Sequence, residues 1–206
     1  MKPCVVATSK WLLHHRPCTS ALEDFSTGGF FRRVIDDYDA VGDNTRHEGV
    51  RLVPPGGAEP RREERLALPP DEMRRVVLCS GQIYYKLSAA RRGRRLRDVA
   101  LVRVEQLLPF PSDEILAVLA KYGRAEIVWA QEEPKNMGAW TSVLPRVAAV
   151  LAETCRSAGR TPRRIGYVGR PPAASTATAS GAIHRREERE LVADALGTGG
   201  EWGAFR

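Results

Sequence analysis

The residues of this sequence best suited to chemistry stand directly after a short apolar run at positions 127–129. They are Gln131, Glu132 and Glu133, and a glutamate in this place can serve as a general acid or base. Neighbouring residues of a strand point to opposite faces of the sheet, so the two glutamates do not form a catalytic pair by spacing. The pattern therefore predicts either functional groups at a strand exit or an ordinary exit with solvated acids.

Arg103 is a second candidate because it interrupts an apolar run at positions 99–104. A guanidinium buried in such a run needs an anion or a carboxylate close by. An internal salt bridge with Glu105 or Glu132 would satisfy it, and so would a bound anion. The sequence leaves both interpretations open.

Signatures of other common sites are absent from the sequence or incomplete. There is no Gly-x-Gly-x-x-Gly, no Gly-Lys-Ser/Thr phosphate loop and no Gly-x-Ser-x-Gly elbow. His14, His15 and His184 have no cysteine or carboxylate partners at metal-ligand spacing, which argues against a metal site. The residues by themselves indicate no complete active site.

The net charge of +7 is unevenly distributed along the chain. Positions 74–97 hold eight basic residues and no acid, and they end in the run RRGRRLR at 91–97. Such a run can bind phosphates, nucleic acid or an acidic partner. It is more often a solvated helix end whose cations lie near the C-terminal dipole. Because no aromatic platform accompanies the charge, we do not favour nucleic-acid binding.

The elements that must position these residues follow from the apolar pattern. Runs of β-forming residues at positions 76–79, 99–104, 127–129 and 165–168 alternate with helical patterns. This alternation predicts an α/β fold with a mostly parallel sheet covered by helices on both faces. We expect the third strand to stop at Gln131 and Gly138 to permit a turn into the next helix. The apolar stripe of that helix consists of Trp140, Val143, Leu144, Val147, Val150, Leu151 and Cys155.

Composition and length set the domain organisation. The 206 residues are 43% hydrophobic and 28% charged, which is typical of a soluble globular protein. No apolar run approaches the roughly 20 residues needed to span a bilayer, and the four cysteines are far apart, so we expect reduced thiols. We divide the chain into an irregular N-terminal extension at 1–35, a long flexible loop at 36–70, the α/β domain at 71–196 and a loose tail at 197–206. The loop has too little apolar surface to offset the entropy of ordering it.

Five blocks of the sequence carry a family resemblance. They are SKWLLHHRP at 9–17, VLCSGQIYY at 77–85, VRVEQLLPFP at 102–111, QEEPKNMGAW at 131–140 and GRPPA at 169–173. In order and rough spacing they resemble the C-terminal portion of the first, decarboxylating component of 2-oxoglutarate dehydrogenase, including the 2-oxoadipate type. The resemblance covers nearly the whole chain.

The resemblance implies a fold and a parent activity. The fold is that of the transketolase C-terminal domain, preceded at 1–35 by the end of a pyrimidine-binding region and a connector. Family members are homodimers that use thiamine diphosphate and magnesium to decarboxylate a 2-oxo acid. They pass the acyl group to lipoyl-lysine on an acyltransferase, and dihydrolipoyl dehydrogenase is a further partner. These enzymes occur in the mitochondrial matrix or the bacterial cytoplasm. Because the family's cofactor, metal and catalytic residues lie upstream, this piece is expected to support dimerisation and to be inactive in isolation.

The resemblance also implies sites in this chain. In some members this domain binds an anionic effector such as acetyl-CoA or AMP, and the positions carried over for it are Arg103, Gln106 and Arg170. An arginine pair converging at strand exits would suit a diphosphate. The block at 131–140 implies an interface or cleft formed by Gln131, Glu132, Glu133 and Asn136.

Two alternatives remain beside the fragment interpretation. The chain could be a free-standing module that binds an anionic effector or a protein partner. It could also be a basic nucleic-acid binder that uses positions 91–97, in which case binding should weaken steeply with salt. The sequence does not decide between 2-oxoglutarate and 2-oxoadipate as the parent substrate.

Overall fold

Five strands and five helices are present in the computed structural model, which describes residues 3, 5–6, 8–18, 25, 30–37, 68–157, 159 and 163–199. The strands are β1 (Val34–Ile35), β2 (Arg75–Cys79), β3 (Val99–Val104), β4 (Glu126–Pro134) and β5 (Ile165–Arg170). The helices are α1 (Lys10–His14), α2 (Ile83–Gly93), α3 (Ser112–Lys121), α4 (Trp140–Ser157) and α5 (Gly181–Ala195). No helix of the described part of the chain is both long and apolar enough to cross a membrane.

The five strands form one sheet in the order β1-β3-β2-β4-β5. The pairs β2–β3, β2–β4 and β4–β5 are parallel, and the short β1 runs antiparallel to β3. Strand β4 therefore lies inside the sheet, parallel to both neighbours. The predicted α/β fold is confirmed, because each parallel strand is followed by a helix that returns the chain to the end of the sheet where the strands begin.

Helices cover both faces of the sheet, and each face has its own hydrophobic core. Alternate residues of β2, such as Val76 and Leu78, point toward α3 and α4, whereas Val77 and Cys79 point toward α2 and α5. Trp129 of β4 is fully buried on the α3–α4 side. A strand buried on both faces must be apolar along its whole length, which is why these strands read as continuous apolar runs in the sequence.

Strand β4 is longer than the sequence predicts. It runs nine residues to Pro134, so the expected stop at Gln131 is wrong. The pairing of β4 with β5 shifts register between Ala130 and Pro134, and after this irregularity Pro134 lies opposite Arg170. A bulge accommodates a proline and lets a strand continue past polar residues. The predicted turn after the strand is confirmed, since Gly138 has a φ of +65°.

The predicted apolar stripe of α4 is confirmed with one exception. Six of its seven members are buried, but Leu144 is 38% exposed. Leu144 lies on the same side of the helix as Leu151, seven residues further along, but its side chain near the start of the helix remains partly in contact with solvent. Pro145 is accommodated inside the helix.

The start of the predicted flexible loop is held against the domain. Asp37 is 2% exposed, and its carboxylate accepts hydrogen bonds from the guanidinium of Arg91 and from the backbone N–H of Leu101. The carboxylate of Asp36 accepts bonds from Lys121 and Tyr122. The prediction of an exposed segment is therefore wrong at Asp37, because burial of this acid is compensated by a cation and a backbone donor. Residues 38–67 of the predicted loop lie outside the described residues.

Candidate functional site

All seven side chains predicted to form sites lie where the parallel strands end or in the loops just after them. We call this side of the sheet, with the loops at 80–82, 105–111, 135–139 and 171–180, the carboxyl edge. Open parallel sheets place functional groups at this edge, because every parallel strand delivers its last residues there. The residues are Arg103, Gln106, Gln131, Glu132, Glu133, Asn136 and Arg170.

Gln131 holds the carboxyl end of β4 together. Its side-chain oxygen accepts hydrogen bonds from the indole N–H of Trp129 and the backbone N–H of Trp140, both at 3.0 Å. Its side-chain nitrogen donates to the carbonyls of Pro134 at 3.1 Å and Met137 at 2.8 Å. Every polar atom of this buried amide is thus used inside the domain. Gln131 has a structural role in the turn from β4 into α4.

Glu132 faces the α2–α5 side of the sheet. The ammonium group of Lys86, on α2, lies 2.5 Å from the Glu132 carboxylate and also contacts Glu188 of α5. Burial opposes the charge of Lys86, but the hydrogen bonds that it donates to the two carboxylates raise its pKa above the ordinary value. The sequence offered Glu132 as a partner of Arg103, and the structure assigns it to Lys86 instead.

Glu133 and Asn136 differ in what they do. The Asn136 side chain makes two 3.0 Å hydrogen bonds with the backbone of Ala173, which joins the loop after β4 to the loop after β5. The side chain of Glu133 is exposed and packs over Gly138, where an added Cβ would lie 3.0 Å from the Glu133 Cβ. Glu132 and Glu133 thus point in different directions, as the strand geometry predicts, and do not form a catalytic pair.

Arg103 is a polar side chain of this edge that the structure satisfies only in part. Its guanidinium carbon lies 4.5 Å from the centre of the Tyr84 ring, and Nη1 donates to the Tyr85 hydroxyl at a long 3.5 Å. Its Nε is buried with no hydrogen bond to any described residue and lies 3.8 Å from the Glu105 carboxylate. The predicted internal salt bridge therefore exists with Glu105, but it is too long to be a hydrogen bond.

Glu105 shares the partly buried environment of Arg103. Burial raises the pKa of its carboxyl above the usual value, and the positive charge of Arg103 opposes this effect without cancelling it. A further anion near Arg103 would compete with Glu105 for the guanidinium.

The two arginines proposed for a diphosphate do not converge. Arg103 is on β3 and Arg170 is on β5, with β2 and β4 between them. Three strand spacings separate their backbones by about 14 Å. Arg170 is bound to Glu187 of α5 at 2.8 Å and donates to the carbonyl of Thr176. Gln106, the third predicted position, donates to the carbonyl of Pro109 within its own loop.

Helix α1 also packs at the carboxyl edge. The rings of Trp11 and His15 stack at 3.9 Å, and His15 packs edge-on against Tyr85 at 5.0 Å. The hydroxyl of Ser9 donates to the side-chain oxygen of Gln82 at 2.8 Å. Sequence reasoning missed this aromatic cluster and Lys86, and it assigned residues 9–17 to an extension that precedes the α/β domain.

The predicted basic run does not present all its charges to solvent. Arg91 is buried in its ion pair with Asp37, at 2.5 Å, and also donates to the carbonyl of Val99. It is therefore unavailable to bind phosphates, which weakens the nucleic-acid alternative. Arg95 is exposed in the turn between α2 and β3.

Large apolar side chains are exposed at and beside the carboxyl edge. Leu108, in the loop after β3, is 71% exposed, and Trp11 and Leu13 of α1 are 43% and 66% exposed. Phe30 and Phe31, which precede β1, are also exposed. Together we call these five side chains the apolar rim. Exposed large apolar side chains concentrated at one end of a domain are typical of a protein interface.

The arrangement offers surfaces for contact. The described residues contain no group of three or more His, Cys, Asp or Glu side chains placed to hold a metal ion. The polar side chains of the edge are largely bonded within the domain. The geometry supports binding and bracing.

Comparisons with known proteins identify the relatives of this domain. The family described as "2-oxoglutarate dehydrogenase C-terminal" matches residues 59–196. The mitochondrial 2-oxoglutarate dehydrogenase of Caenorhabditis elegans is 40% identical over 198 residues, which are 95% of this chain and 16% of that protein. The 2-oxoglutarate dehydrogenase E1 component of Brucella anthropi is 39% identical over 196 residues, which are 95% of this chain and 17% of that protein.

A solved structure described as a split gene transketolase, an inactive beta4 tetramer, has 20% sequence identity and a TM-score of 0.40, covering 62% of this chain and 41% of that chain. The family match spans β2 to β5 with the helices between and after them. The chain covers about one sixth of the length of the two curated relatives. It belongs to the 2-oxoglutarate dehydrogenase C-terminal family.

Proposed function

We propose that this chain is the C-terminal domain of a decarboxylating component of the 2-oxoglutarate or 2-oxoadipate dehydrogenase type. In the assembled enzyme it braces domains that bind thiamine diphosphate and magnesium. The parent enzyme, a homodimer, decarboxylates a 2-oxo acid and transfers the acyl group to the lipoyl-lysine of an acyltransferase, which dihydrolipoyl dehydrogenase then serves. Its compartment is the mitochondrial matrix, or the cytoplasm in a bacterium.

The apolar rim is the observation that carries this proposal. Leu108, Trp11 and Phe30 expose large apolar surfaces on the side of the sheet where α/β domains meet their ligands and neighbours. Each side chain of this size contributes about 1.5–3 kcal/mol when it is removed from water. A surface of this kind is better suited to contact with the domains that form the remaining five sixths of the relatives than to a small ligand.

The described residues do not fit thiamine diphosphate and magnesium. They provide no cluster of carboxylates for the metal, and the sequence has no Gly-Asp-Gly motif to hold the diphosphate. We therefore propose that the described part of the chain contributes positioning, and no catalytic residue, to the parent reaction. We expect the isolated chain to be inactive with 2-oxo acids.

Complementation tests the proposal directly. The Brucella anthropi E1 component, lacking the segment that matches this chain, is co-expressed with this chain and assayed for co-purification and for decarboxylation of 2-oxoglutarate. We expect the two to co-purify and decarboxylation to be restored. Substitution of Trp11, Leu13 and Leu108 by Ser should weaken association, whereas Leu144→Ser, an exposed leucine outside the rim, should not. Decarboxylation by the isolated chain, or association that is unaffected by the triple substitution, would contradict the proposal.

A second candidate function is the binding of an anionic effector, and Arg103 favours it. Its buried Nε lacks a hydrogen bond, and the Tyr84 ring supports the guanidinium plane from one side. A phosphate group of acetyl-CoA or AMP could take the place that Glu105 fills at 3.8 Å. Since Arg170 is bound to Glu187 on the far side of β2 and β4, we propose Arg103 as the main contact and Gln106 as its neighbour.

Calorimetry with acetyl-CoA and with AMP tests the effector site. Arg103→Ala should remove the binding heat, whereas Arg94→Ala, which changes an arginine far from Arg103 in the turn after α2, should not. Heat that is equal in the wild type and the Arg103 variant would rule out this site.

A further inference from the structure

The ion pairs at the carboxyl edge are not equally close. The Lys86 ammonium lies 2.5 Å from the Glu132 carboxylate, which is a direct contact. Arg103 and Glu105 stand 3.8 Å apart, beyond hydrogen-bond distance. The side chains of this looser pair are nevertheless only 12% and 27% exposed, so water replaces little of the missing contact.

Contacts with other groups hold both members of the loose pair in place. The guanidinium carbon of Arg103 lies 4.5 Å from the centre of the Tyr84 ring, and Nη1 donates to the Tyr85 hydroxyl at 3.5 Å. The backbone N–H of Glu105 donates to the carbonyl of Arg33 at 2.9 Å, which fixes the chain just after β3. The two charges are therefore kept near each other by contacts that do not depend on their pairing.

The loose pairing leaves a hydrogen-bond donor of Arg103 unused. Its Nε is buried and has no hydrogen bond to a described residue. A guanidinium presents its N–H donors in one plane, and a phosphate with three acceptor oxygens can accept from two of them at once. A carboxylate at 3.8 Å lowers the cost of burying the cation without using this donor. Glu105 thus compensates the charge of Arg103 but leaves its Nε to an anion that displaces the carboxylate.

We propose that Glu105 is an internal competitor for the anion site at Arg103 and sets the affinity that an anion must exceed to bind there. This inference rests on the effector-binding function proposed above for Arg103. Because Glu105 is only two residues away along the chain, its carboxylate is present at an effective concentration on the order of millimolar or more.

The competitor limits which anions bind. A free carboxylate offers the guanidinium the same group that Glu105 already provides, so it displaces Glu105 poorly. A phosphate carries more charge and one more acceptor oxygen, so it forms the stronger charge-assisted hydrogen bonds. Carboxylates such as 2-oxoglutarate are therefore expected to stay unbound at millimolar concentration, whereas AMP binds.

Calorimetry of the 206-residue chain at one pH and one salt concentration tests the competition. Glu105→Gln keeps the size of the side chain and removes its charge. This variant should lower the dissociation constant of AMP at least about fivefold, and 2-oxoglutarate should give binding heat where the wild type gives none. Glu153→Gln is the matched control, because it changes the net charge equally on α4, on the opposite face of the sheet. It should change the dissociation constant of AMP by less than about twofold.

Two further measurements separate competition from a general charge effect. Inorganic pyrophosphate is more highly charged than AMP. An internal competitor weakens every ligand by the same factor, so Glu105→Gln should tighten pyrophosphate and AMP equally. Glu105→Asp keeps the charge but withdraws the carboxylate by one methylene group, and its affinity for AMP should lie between those of the wild type and the Gln variant.

The outcomes distinguish this inference from the function on which it rests. AMP heat that Arg103→Ala removes and Glu105→Gln leaves unchanged would overturn the role of Glu105 alone. The same holds for a gain that is larger with pyrophosphate than with AMP, or for an Asp variant that binds AMP more weakly than the wild type does. Absence of AMP heat in both the wild type and Glu105→Gln would overturn the effector site itself.

Discussion

The two ends of the parallel strands in this domain are built in different ways. At the carboxyl edge, large apolar side chains remain exposed, although most of the polar groups are bonded to each other. At the amino edge, where β2 to β5 begin, none of the large exposed apolar side chains among the described residues belongs to a strand start or to the turn before it.

At the amino edge, arginine side chains bind acids and backbone carbonyls of the domain itself. Arg74 binds Asp98 at 2.7 Å, and Arg75 binds Glu126. Arg75 also donates to the carbonyl of Ala195, at the C-terminus of α5, where the helix leaves acceptors without partners. At this edge, these charged groups and helix carbonyls are therefore paired within the domain.

Arg163 likewise donates hydrogen bonds to backbone carbonyls at the C-terminal end of a helix, in this case α3. Its guanidinium donates to the carbonyls of Tyr122 at 2.7 Å and Ala125 at 3.0 Å, just after α3. The comparison teaches that a high positive charge need not indicate a binding surface. Much of the charge in this chain serves to cap and join its own elements, and the edge prepared for a neighbour is the apolar one.

The largest expected effect concerns the buried ion pair on the amino side. Arg91→Met leaves the Asp37 carboxylate buried without its cation and should lower the free energy of unfolding by about 3–5 kcal/mol. Urea unfolding followed by circular dichroism measures it. Arg94→Met, at an exposed arginine of the same run, should change the value by less than about 0.5 kcal/mol. Equal effects of the two substitutions would show that the amino edge is not closed in this way.

At the carboxyl edge we expect Gln131 to matter for stability and Glu133 not to. Gln131→Leu removes the amide that joins Trp129, Trp140 and the turn after β4, and should cost about 3 kcal/mol. Glu133→Gln, two positions along the same strand, should be close to neutral. The two unfolding curves, measured side by side, check this. A neutral Gln131 variant would contradict the structural role of the amide.

A smaller effect concerns the pH dependence at Glu105. Because burial raises the pKa of Glu105, the folded chain holds this proton more tightly than the unfolded chain does. Its contribution to stability is therefore greatest in acid and falls as the pH rises from the ordinary value toward the raised one. Glu105→Gln should flatten the stability curve there by a few tenths of a kcal/mol. A curve that becomes steeper on substitution would reverse the sign argued here.

The smallest expected effect separates docking from folding. Leu108→Ser should change the free energy of unfolding by less than about 0.5 kcal/mol, because the side chain is already in water. In the complementation experiment the same variant should reduce co-purification with the truncated E1 component. A large loss of stability would mean that Leu108 packs within the domain and does not face a partner.

Much of the fold could be predicted, because strands buried on both faces read as short continuous apolar runs and helices as apolar stripes with a period of 3.6 residues. The four parallel strands and the apolar stripe of α4 follow from these patterns. Strand β1 and the length of β4 do not, since a two-residue strand carries no period and the bulge at Ala130 depends on pairing with β5. The exposure of Leu144 was equally hidden, because its spacing places it on the apolar stripe and only the surrounding elements decide whether it is covered.

The location of the candidate site could be predicted from the sequence, but the contacts of its side chains could not. The sequence indicated that Arg103, Glu132 and Arg170 stand at strand ends. It could not show which acid pairs with which cation, because Lys86 and Glu187 reach these residues from helices distant along the chain.

The sequence by itself determined the family, the alternation of strands and helices and the edge at which functional groups gather, since these depend on local periodicity and on ordered blocks of residues. The tertiary structure alone decided that Arg91 is buried with Asp37, that Arg103 and Arg170 stand on strands separated by β2 and β4, and that apolar surface remains uncovered at the carboxyl edge. The physical reason is that pairing of charges and exposure of surface depend on which elements meet in space, and separation along the chain does not encode it.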